Sequence, residues 1–121
     1  MTRLAHLIAQ QEGFFVPGTI PAVRHNPGDL RHSPNSSHAP NDPNGIGFIE
    51  TDELGWQDLE RQLQLYAQRG FTLQQTIFQW APASDGNDPS GYLNFVLDGF
   101  AGAVTEATLL TEVLMILQVG S

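Results

Sequence analysis

The sequence predicts an α+β, mainly α fold of about five helices with a small β-hairpin. Three observations lead to this class: apolar residues recur at helical spacing in five segments, strand-like apolar runs occur only between residues 29 and 51, and Gly/Pro-rich stretches separate the elements. At 121 residues the chain has the size of one domain. We therefore predict a single domain over residues 1–121.

The first segment predicts a short helix over residues 3–12. Leu4, Leu7 and Ile8 have helical spacing, and Gly13 stands where helices often end, which places Glu12 in the last turn. Residues 13–27 mix aromatic residues with prolines, so we expect an ordered loop there, without a regular element.

The middle of the chain predicts the hairpin. Asp29–His32 and Ile46–Thr51 are the candidate strands. The residues between them, Ser33–Gly45, are rich in Ser, Asn, Pro and Gly and predict a flexible hairpin loop.

The second half predicts four helices. One runs from Asp52 until Gly70 ends it, and one follows the capping box that begins at Thr72. A third begins at Asp88-Pro89 and runs to about Gly99. The last opens at Val104 or Thr105 and carries a wide apolar stripe of Leu109, Leu110, Val113, Leu114 and Leu117.

Composition and charge argue against several classes of function. The net charge is −8 and the five basic residues are dispersed arginines, which disfavours nucleic-acid binding. No segment approaches the roughly 18 apolar residues of a membrane span, and the first residues lack a signal-peptide pattern. We therefore expect any action in the periplasm or cell wall to follow delivery by other machinery. The acidic charge also argues against long-range attraction to an anionic cell wall.

The order of parts and several short motifs resemble the lysozyme-like superfamily. More narrowly, the chain resembles a phage and prophage family described as virion structural proteins or as peptidoglycan-degrading, lysozyme- or transglycosylase-like domains. The resemblance covers roughly residues 4–100. It is carried by Gln11-Glu12-Gly13-Phe14, Arg24-His25-Asn26-Pro27-Gly28-Asp29-Leu30-Arg31, Phe48 with Gly55, Leu63 with Tyr66, Thr72 with Ile77, Trp80-Ala81-Pro82, and Asn87-Asp88-Pro89 with Tyr92.

This resemblance implies a lysozyme-like fold in which Glu12 is the catalytic acid acting on peptidoglycan glycan strands. A glycosidase acid needs apolar surroundings that raise the pKa of a glutamate from about 4.3 to about 6, as in lysozyme. Phe14 and Phe15 follow Glu12 and could supply them. The alternative is an ordinary polar residue beside a helix stop.

The same resemblance marks His25, Asn26, Asp29, Phe48 and Tyr66 as candidate substrate-binding residues. The family usually has Asn at the positions of His25 and Asp29, so both departures alter the expected groove. Asn26 also suits a turn-holding role, and Phe48 and Tyr66 suit core packing, as do the two tryptophans, Trp56 and Trp80.

A second carboxylate could come from Asp29, Glu50 or Asp52 on the hairpin. We favour a mechanism with a single acid, because the resembling lytic transglycosylases use one Glu and the sugar's own C6 hydroxyl. The sequence does not separate this reaction from hydrolysis. The histidines lack metal-ligand spacing and no cofactor motif occurs, so we expect neither a metal nor a cofactor.

Two rival functions remain open at this point. One is a non-catalytic module of the same fold that binds glycan within a larger virion or secretion assembly. The other is a helical interaction domain that docks through the stripe from Leu109 to Leu117.

Overall fold

The first helix, α1 (Arg3–Glu12), has the predicted bounds in the computed structural model, which describes residues 1–119. Leu4 and Ile8 are completely buried on one face of the helix. Gly13 ends it in the left-handed conformation, with φ of 84°. The prediction of a helix that stops directly after Glu12 is therefore confirmed.

A short helix, α2 (Ile20–Val23), occupies the segment where the sequence predicts only a loop. The Oγ1 atom of Thr19 accepts a hydrogen bond from the backbone N–H of Ala22 at 3.3 Å, and Pro21 lies in the first turn. That prediction is wrong because four residues are too few to show helical periodicity, although the cap and the proline were visible.

The hairpin uses a different first strand from the predicted one. Strands β1 (Ser36–Ser37) and β2 (Phe48–Ile49) are antiparallel, with Ser36 opposite Ile49 and Ser37 opposite Phe48. Residues 29–32 are not a strand, because the backbone turns at Asp29 with φ of 52°. Strand β1 instead lies within the segment predicted to be the hairpin loop, and β2 is only the middle of the predicted strand.

Three longer helices follow as predicted: α3 (Asp52–Gln68), α4 (Leu73–Trp80) and α5 (Pro89–Gly99). The capping box at Thr72 is present, since its side chain accepts from the Gln75 N–H and the Gln75 side chain accepts from the Thr72 N–H. Asp88 caps α5 by accepting from the Gly91 N–H at 3.0 Å. A single 3₁₀ turn, Ala83–Asp85, lies in the predicted loop before α5.

The predicted final helix is reduced to one turn, α6 (Leu110–Val113). The backbone at the start of this segment pairs with residues 71–73. The Leu73 N–H donates to the Thr108 carbonyl at 2.9 Å, and the Leu110 N–H donates to the Phe71 carbonyl at 2.8 Å. After the turn, Leu117 forms an antiparallel bridge with Thr2. Non-local backbone pairing has replaced the helix that the apolar pattern predicts.

The chain divides into two compact units: Met1–Leu7 with the described residues from Leu63 onward, and Ile8–Gln62. In the first unit, α4 packs against α5 and α6. The second unit contains the hairpin. The expectation of one domain stays a prediction.

Across residues 1–119 the structure has six α-helices and one two-stranded sheet, so the mainly α, α+β class is confirmed. In this part of the chain, no helix combines the length and the apolar character needed to cross a bilayer.

Candidate functional site

Glu12 is the last residue of α1 and is half-buried. Two backbone hydrogen bonds form where the helix ends after Glu12, from Gly13 N–H to the Gln10 carbonyl at 3.1 Å and from Phe14 N–H to the Ala9 carbonyl at 3.0 Å. These bonds set the direction in which the chain leaves the helix. Because two residues span at most about 7 Å, the backbone of Phe14 stays close to that of Glu12.

Phe14, Phe15 and Trp56 form one aromatic group, which we call the Trp56 cluster. The ring centroids of Phe14 and Trp56 are 5.3 Å apart in an edge-to-face arrangement, and those of Phe14 and Phe15 are also 5.3 Å apart. Trp56 is only half-buried and Phe15 is 49% exposed, so the cluster presents aromatic surface to solvent. The core position expected for Trp56 is wrong.

His25 and Asp52 form a close pair next to this cluster along α3. Their Nδ1 and Oδ1 atoms are 2.6 Å apart, and the two side chains are 44% and 59% exposed. Asp52 is the first residue of α3 and Trp56 lies one turn later, so the two side chains share a face of the helix. Asp52 therefore links the His25 side chain to the same part of α3 that carries Trp56.

The backbone at His25 is held in an unusual conformation. Its φ is 52°, in the left-handed region that non-glycine residues occupy at a cost. Gly55 packs directly on it, since a Cβ atom at Gly55 would lie only 2.1 Å from the His25 carbonyl oxygen. This contact fixes the first turn of α3 against His25.

Asn26 uses its whole side-chain amide within the fold. It is completely buried, its two amide hydrogens are donated to the carbonyls of Leu30 at 2.8 Å and Gly47 at 3.0 Å, and its oxygen accepts from the Leu30 N–H at 2.9 Å. No amide hydrogen is left for a substrate. We therefore assign to Asn26 the turn-holding role rather than the substrate-binding one.

Asp29 has a carboxyl oxygen, Oδ1, that is buried and makes no hydrogen bond to any described residue. Burial raises the pKa of this carboxyl, and the charges of Arg31 and Arg24 oppose that rise. The environment of Asp29 thus disfavours its ionised form, which does not suit a second catalytic carboxylate.

Phe48 is the first residue of β2 and is 36% exposed. The guanidinium carbon of Arg24 sits 4.1 Å from its ring centroid. Arg24 Nη1 also donates to Asp42 Oδ2 at 2.8 Å and to the Ile46 carbonyl at 2.7 Å. The hydrogen bond from Arg24 holds the pKa of Asp42 below its usual value. This ion pair was not predicted, because its partners are 18 residues apart.

Asp58 is a second residue that the sequence analysis missed. It is buried in α3 and accepts hydrogen bonds from the Ser33 hydroxyl at 2.5 Å, the Asn35 N–H at 3.0 Å and the Asn35 amide at 2.7 Å. Its partners lie 25 and 23 residues away in the sequence, so no local pattern indicates this role. Asp58 anchors the start of the segment predicted as a flexible loop.

Tyr66 belongs to the other unit and lies within an aromatic group there. Its ring stacks on Phe71 at 5.3 Å and meets Trp80 edge-on at 6.2 Å, with the guanidinium carbon of Arg69 at 5.5 Å. Its predicted contact with substrate stays a prediction.

Among the candidate second carboxylates, Glu50 is exposed and Asp52 is engaged with His25. No three potential metal-ligating side chains converge within residues 1–119. The candidate site residues of the second unit are Glu12, the Trp56 cluster and the His25–Asp52 pair.

No known family model matches the chain. No curated protein and no solved structure shows significant similarity to it.

Proposed function

We propose that this protein cleaves peptidoglycan glycan strands, at the β-1,4 link between N-acetylmuramic acid and N-acetylglucosamine, with Glu12 as the general acid. The observation that carries the proposal is the position of Glu12. Glu12 is a half-buried residue at the end of α1, two residues before a phenylalanine that packs on Trp56.

The first supporting argument concerns the proton. A glycosidase acid must remain protonated near neutral pH, which requires removal from water and apolar neighbours. Two features support this role for Glu12: its partial burial at the end of α1, and the Trp56 cluster, which begins two residues later with Phe14. A fully exposed glutamate would meet neither.

The second argument concerns the substrate. Exposed aromatic surface beside a polar group is a common feature of ligand-binding surfaces. The rings of Phe15 and Trp56 offer flat apolar faces on which the apolar face of a sugar ring can pack. A net charge of −8 gives no general attraction to an acidic wall, so binding has to depend on such short-range contacts.

In the proposed reaction, Glu12 gives its proton to the glycosidic oxygen while the bond between that oxygen and the anomeric carbon breaks. The Glu12 carboxylate, now the base of a single-acid mechanism, then takes the proton of a hydroxyl group as that hydroxyl group attacks the anomeric carbon. The attacking group is either water, which makes the reaction a hydrolysis, or the C6 hydroxyl of the muramic acid, which gives a 1,6-anhydro product.

The test compares wild type, Glu12→Gln and the control Glu53→Gln on purified sacculi at several pH values, by turbidity and by product mass. Glu53 is an exposed carboxylate in the first turn of α3. We expect wild type and the control to release muropeptides and Glu12→Gln to release none. Intact sacculi with wild-type protein would refute the proposal. Sedimentation of Glu12→Gln with those sacculi would then favour the alternative of a glycan-binding module within a larger assembly.

A further inference from the structure

We infer that His25, oriented by Asp52, is the general base of this site and activates a water molecule, which makes the protein a hydrolase rather than a transglycosylase. The inference rests on the proposed function and decides its nucleophile, and it gives the role of base to His25 in place of the Glu12 carboxylate of the single-acid mechanism. It assigns catalytic chemistry to a histidine that the sequence analysis treated only as a substrate contact.

The first step is the state of the imidazole. An ionised carboxylate can only accept hydrogen bonds, so a neutral His25 bound to Asp52 must carry its hydrogen on Nδ1. Its Nε2 atom then has a free lone pair. That atom makes no hydrogen bond to a described residue and is not among the buried unpartnered polar atoms, so it faces solvent.

The second step is the rigidity of the pair. His25 is kept in the left-handed conformation by the fully bonded Asn26 on its C-terminal side and by Gly55 packed on its carbonyl. Strained backbone that the surroundings hold in place is a frequent property of functional residues. The same contacts bring Asp52, at the start of α3, within 2.6 Å of the ring.

The third step is the position of the pair relative to the acid. Asp52 and Trp56 are one turn apart on α3, Trp56 contacts Phe14, and Phe14 is two residues from Glu12. All of these residues lie in the same compact unit. The Trp56 cluster therefore connects the His25–Asp52 pair to the segment that follows Glu12 within one compact unit, and the inference assigns the acid and the base of one site to these two residues.

The reaction balances with these two groups. His25 Nε2 takes a proton from water, and the water oxygen bonds to the anomeric carbon. The bond from that carbon to the glycosidic oxygen breaks, and the departing oxygen takes the proton of Glu12. Solvent then returns a proton to Glu12 and removes one from His25. Attack from the face opposite the leaving group inverts the anomeric configuration.

The test uses sacculi in water enriched in heavy oxygen, with wild type, His25→Asn, Asp52→Asn and the control His32→Gln. Asparagine tolerates the left-handed backbone of His25, and His32 is an exposed histidine of the same unit. Folding of each variant is checked by thermal unfolding. The readouts are product mass, anomeric configuration of the first product by NMR, and kcat/KM.

We expect wild type and His32→Gln to form reducing ends that contain solvent oxygen, with inverted configuration. His25→Asn should lose hydrolysis by roughly a hundredfold or more, the usual contribution of a general base. Asp52→Asn should weaken hydrolysis less, and the Nδ1–H tautomer of His25 should become less populated in nitrogen NMR.

Two other results would overturn the inference while leaving the proposed function intact. One is a wild type that forms only anhydro products. The other is a folded His25→Asn variant that hydrolyses at the wild-type rate. Wild-type protein that leaves sacculi uncut refutes the proposed function and, with it, the assignment of His25.

Discussion

Gly55 lies against the carbonyl oxygen of His25 so closely that a Cβ atom would come within 2.1 Å of it and within 2.7 Å of Pro27 Cδ. Both contacts are with backbone or a rigid ring, so neither can yield as a flexible side chain would. The close packing of Gly55 on the His25 carbonyl joins the start of α3 to the turn that carries His25. It is therefore the contact on which the geometry of the His25–Asp52 pair depends.

We predict that Gly55→Ala separates α3 from this turn. The clash must be relieved by moving backbone, which costs on the order of 1–3 kcal/mol or more for overpacking. Urea unfolding should show the loss of stability, and NMR should show a weakened His25–Asp52 hydrogen bond. Gly18→Ala is the matched control, because a Cβ there meets no atom within 4 Å and only its φ of 88° is strained. Equal losses in the two variants would contradict the prediction.

We predict that Asp29→Asn stabilises the protein at neutral pH. Since burial raises the pKa of Asp29, the unfolded chain ionises first, and stability falls as the pH rises from about 3.9 through the raised value. The amide removes that charge and also suits the left-handed φ of 52°. We expect a gain within the roughly 0.5–2 kcal/mol that such substitutions give.

The measurement for Asp29 is the free energy of unfolding as a function of pH for both proteins. The gain should be present at pH 7 and should shrink below about pH 4, where the wild-type carboxyl is protonated in both states. A gain that is independent of pH would mean that backbone preference alone explains it.

For Asp42 we predict a contribution to stability that is lost in acid, which is the opposite of the pH dependence predicted for Asp29. The hydrogen bond from Arg24 lowers its pKa in the folded state, so its stabilising contribution is complete above the unfolded value of about 3.9. It is lost as the pH falls through the lower folded value. Asp42→Asn should therefore be less stable than wild type at pH 7, and the difference should close in strong acid.

Asp85→Asn serves as the control for Asp42, because Asp85 is an exposed aspartate in the 3₁₀ turn. Chemical denaturation at several pH values compares the variants. A constant difference between Asp42→Asn and wild type down to strong acid would contradict the assigned ion pair.

We predict that Trp56→Leu weakens substrate binding more than it slows the chemical step. Removing the indole takes away the largest ring of the Trp56 cluster, and a loss of about 1.4 kcal/mol in binding raises KM about tenfold. Trp56→Phe should retain much of the affinity because it keeps an aromatic face. Initial rates on soluble glycan strands separate KM from kcat. A fall in kcat with unchanged KM would contradict a binding role.

Much of the helical framework was predictable because its signals are local. The ends of α1 and α3 follow from Gly13 and Gly70, whose φ values of 84° and 77° need glycine. The starts of α4 and α5 follow from side chains that bond backbone groups three residues away, at Thr72 and Asp88. Such interactions require no knowledge of the rest of the fold.

The errors have the opposite origin. The apolar stripe from Leu109 to Leu117 satisfies helical periodicity, yet its backbone pairs with residues 71–73 and with the first residues of the chain. Similarly, Ser36 and Ser37 carry no strand pattern and form β1 because Phe48 and Ile49 lie opposite them. The competing partners are distant in sequence, so no local pattern reveals them.

Local patterns were enough to predict the mainly helical class, four helices of the framework, and the placement of Glu12 at a helix end ahead of two phenylalanines. The packing of Trp56 on those rings and the pairing of His25 with Asp52, 27 residues away, are visible only in the folded chain. Caps and periodicity act within a few residues. A pair of distant side chains meets only after the chain has closed the loop between them, at an entropic cost that packing elsewhere must offset.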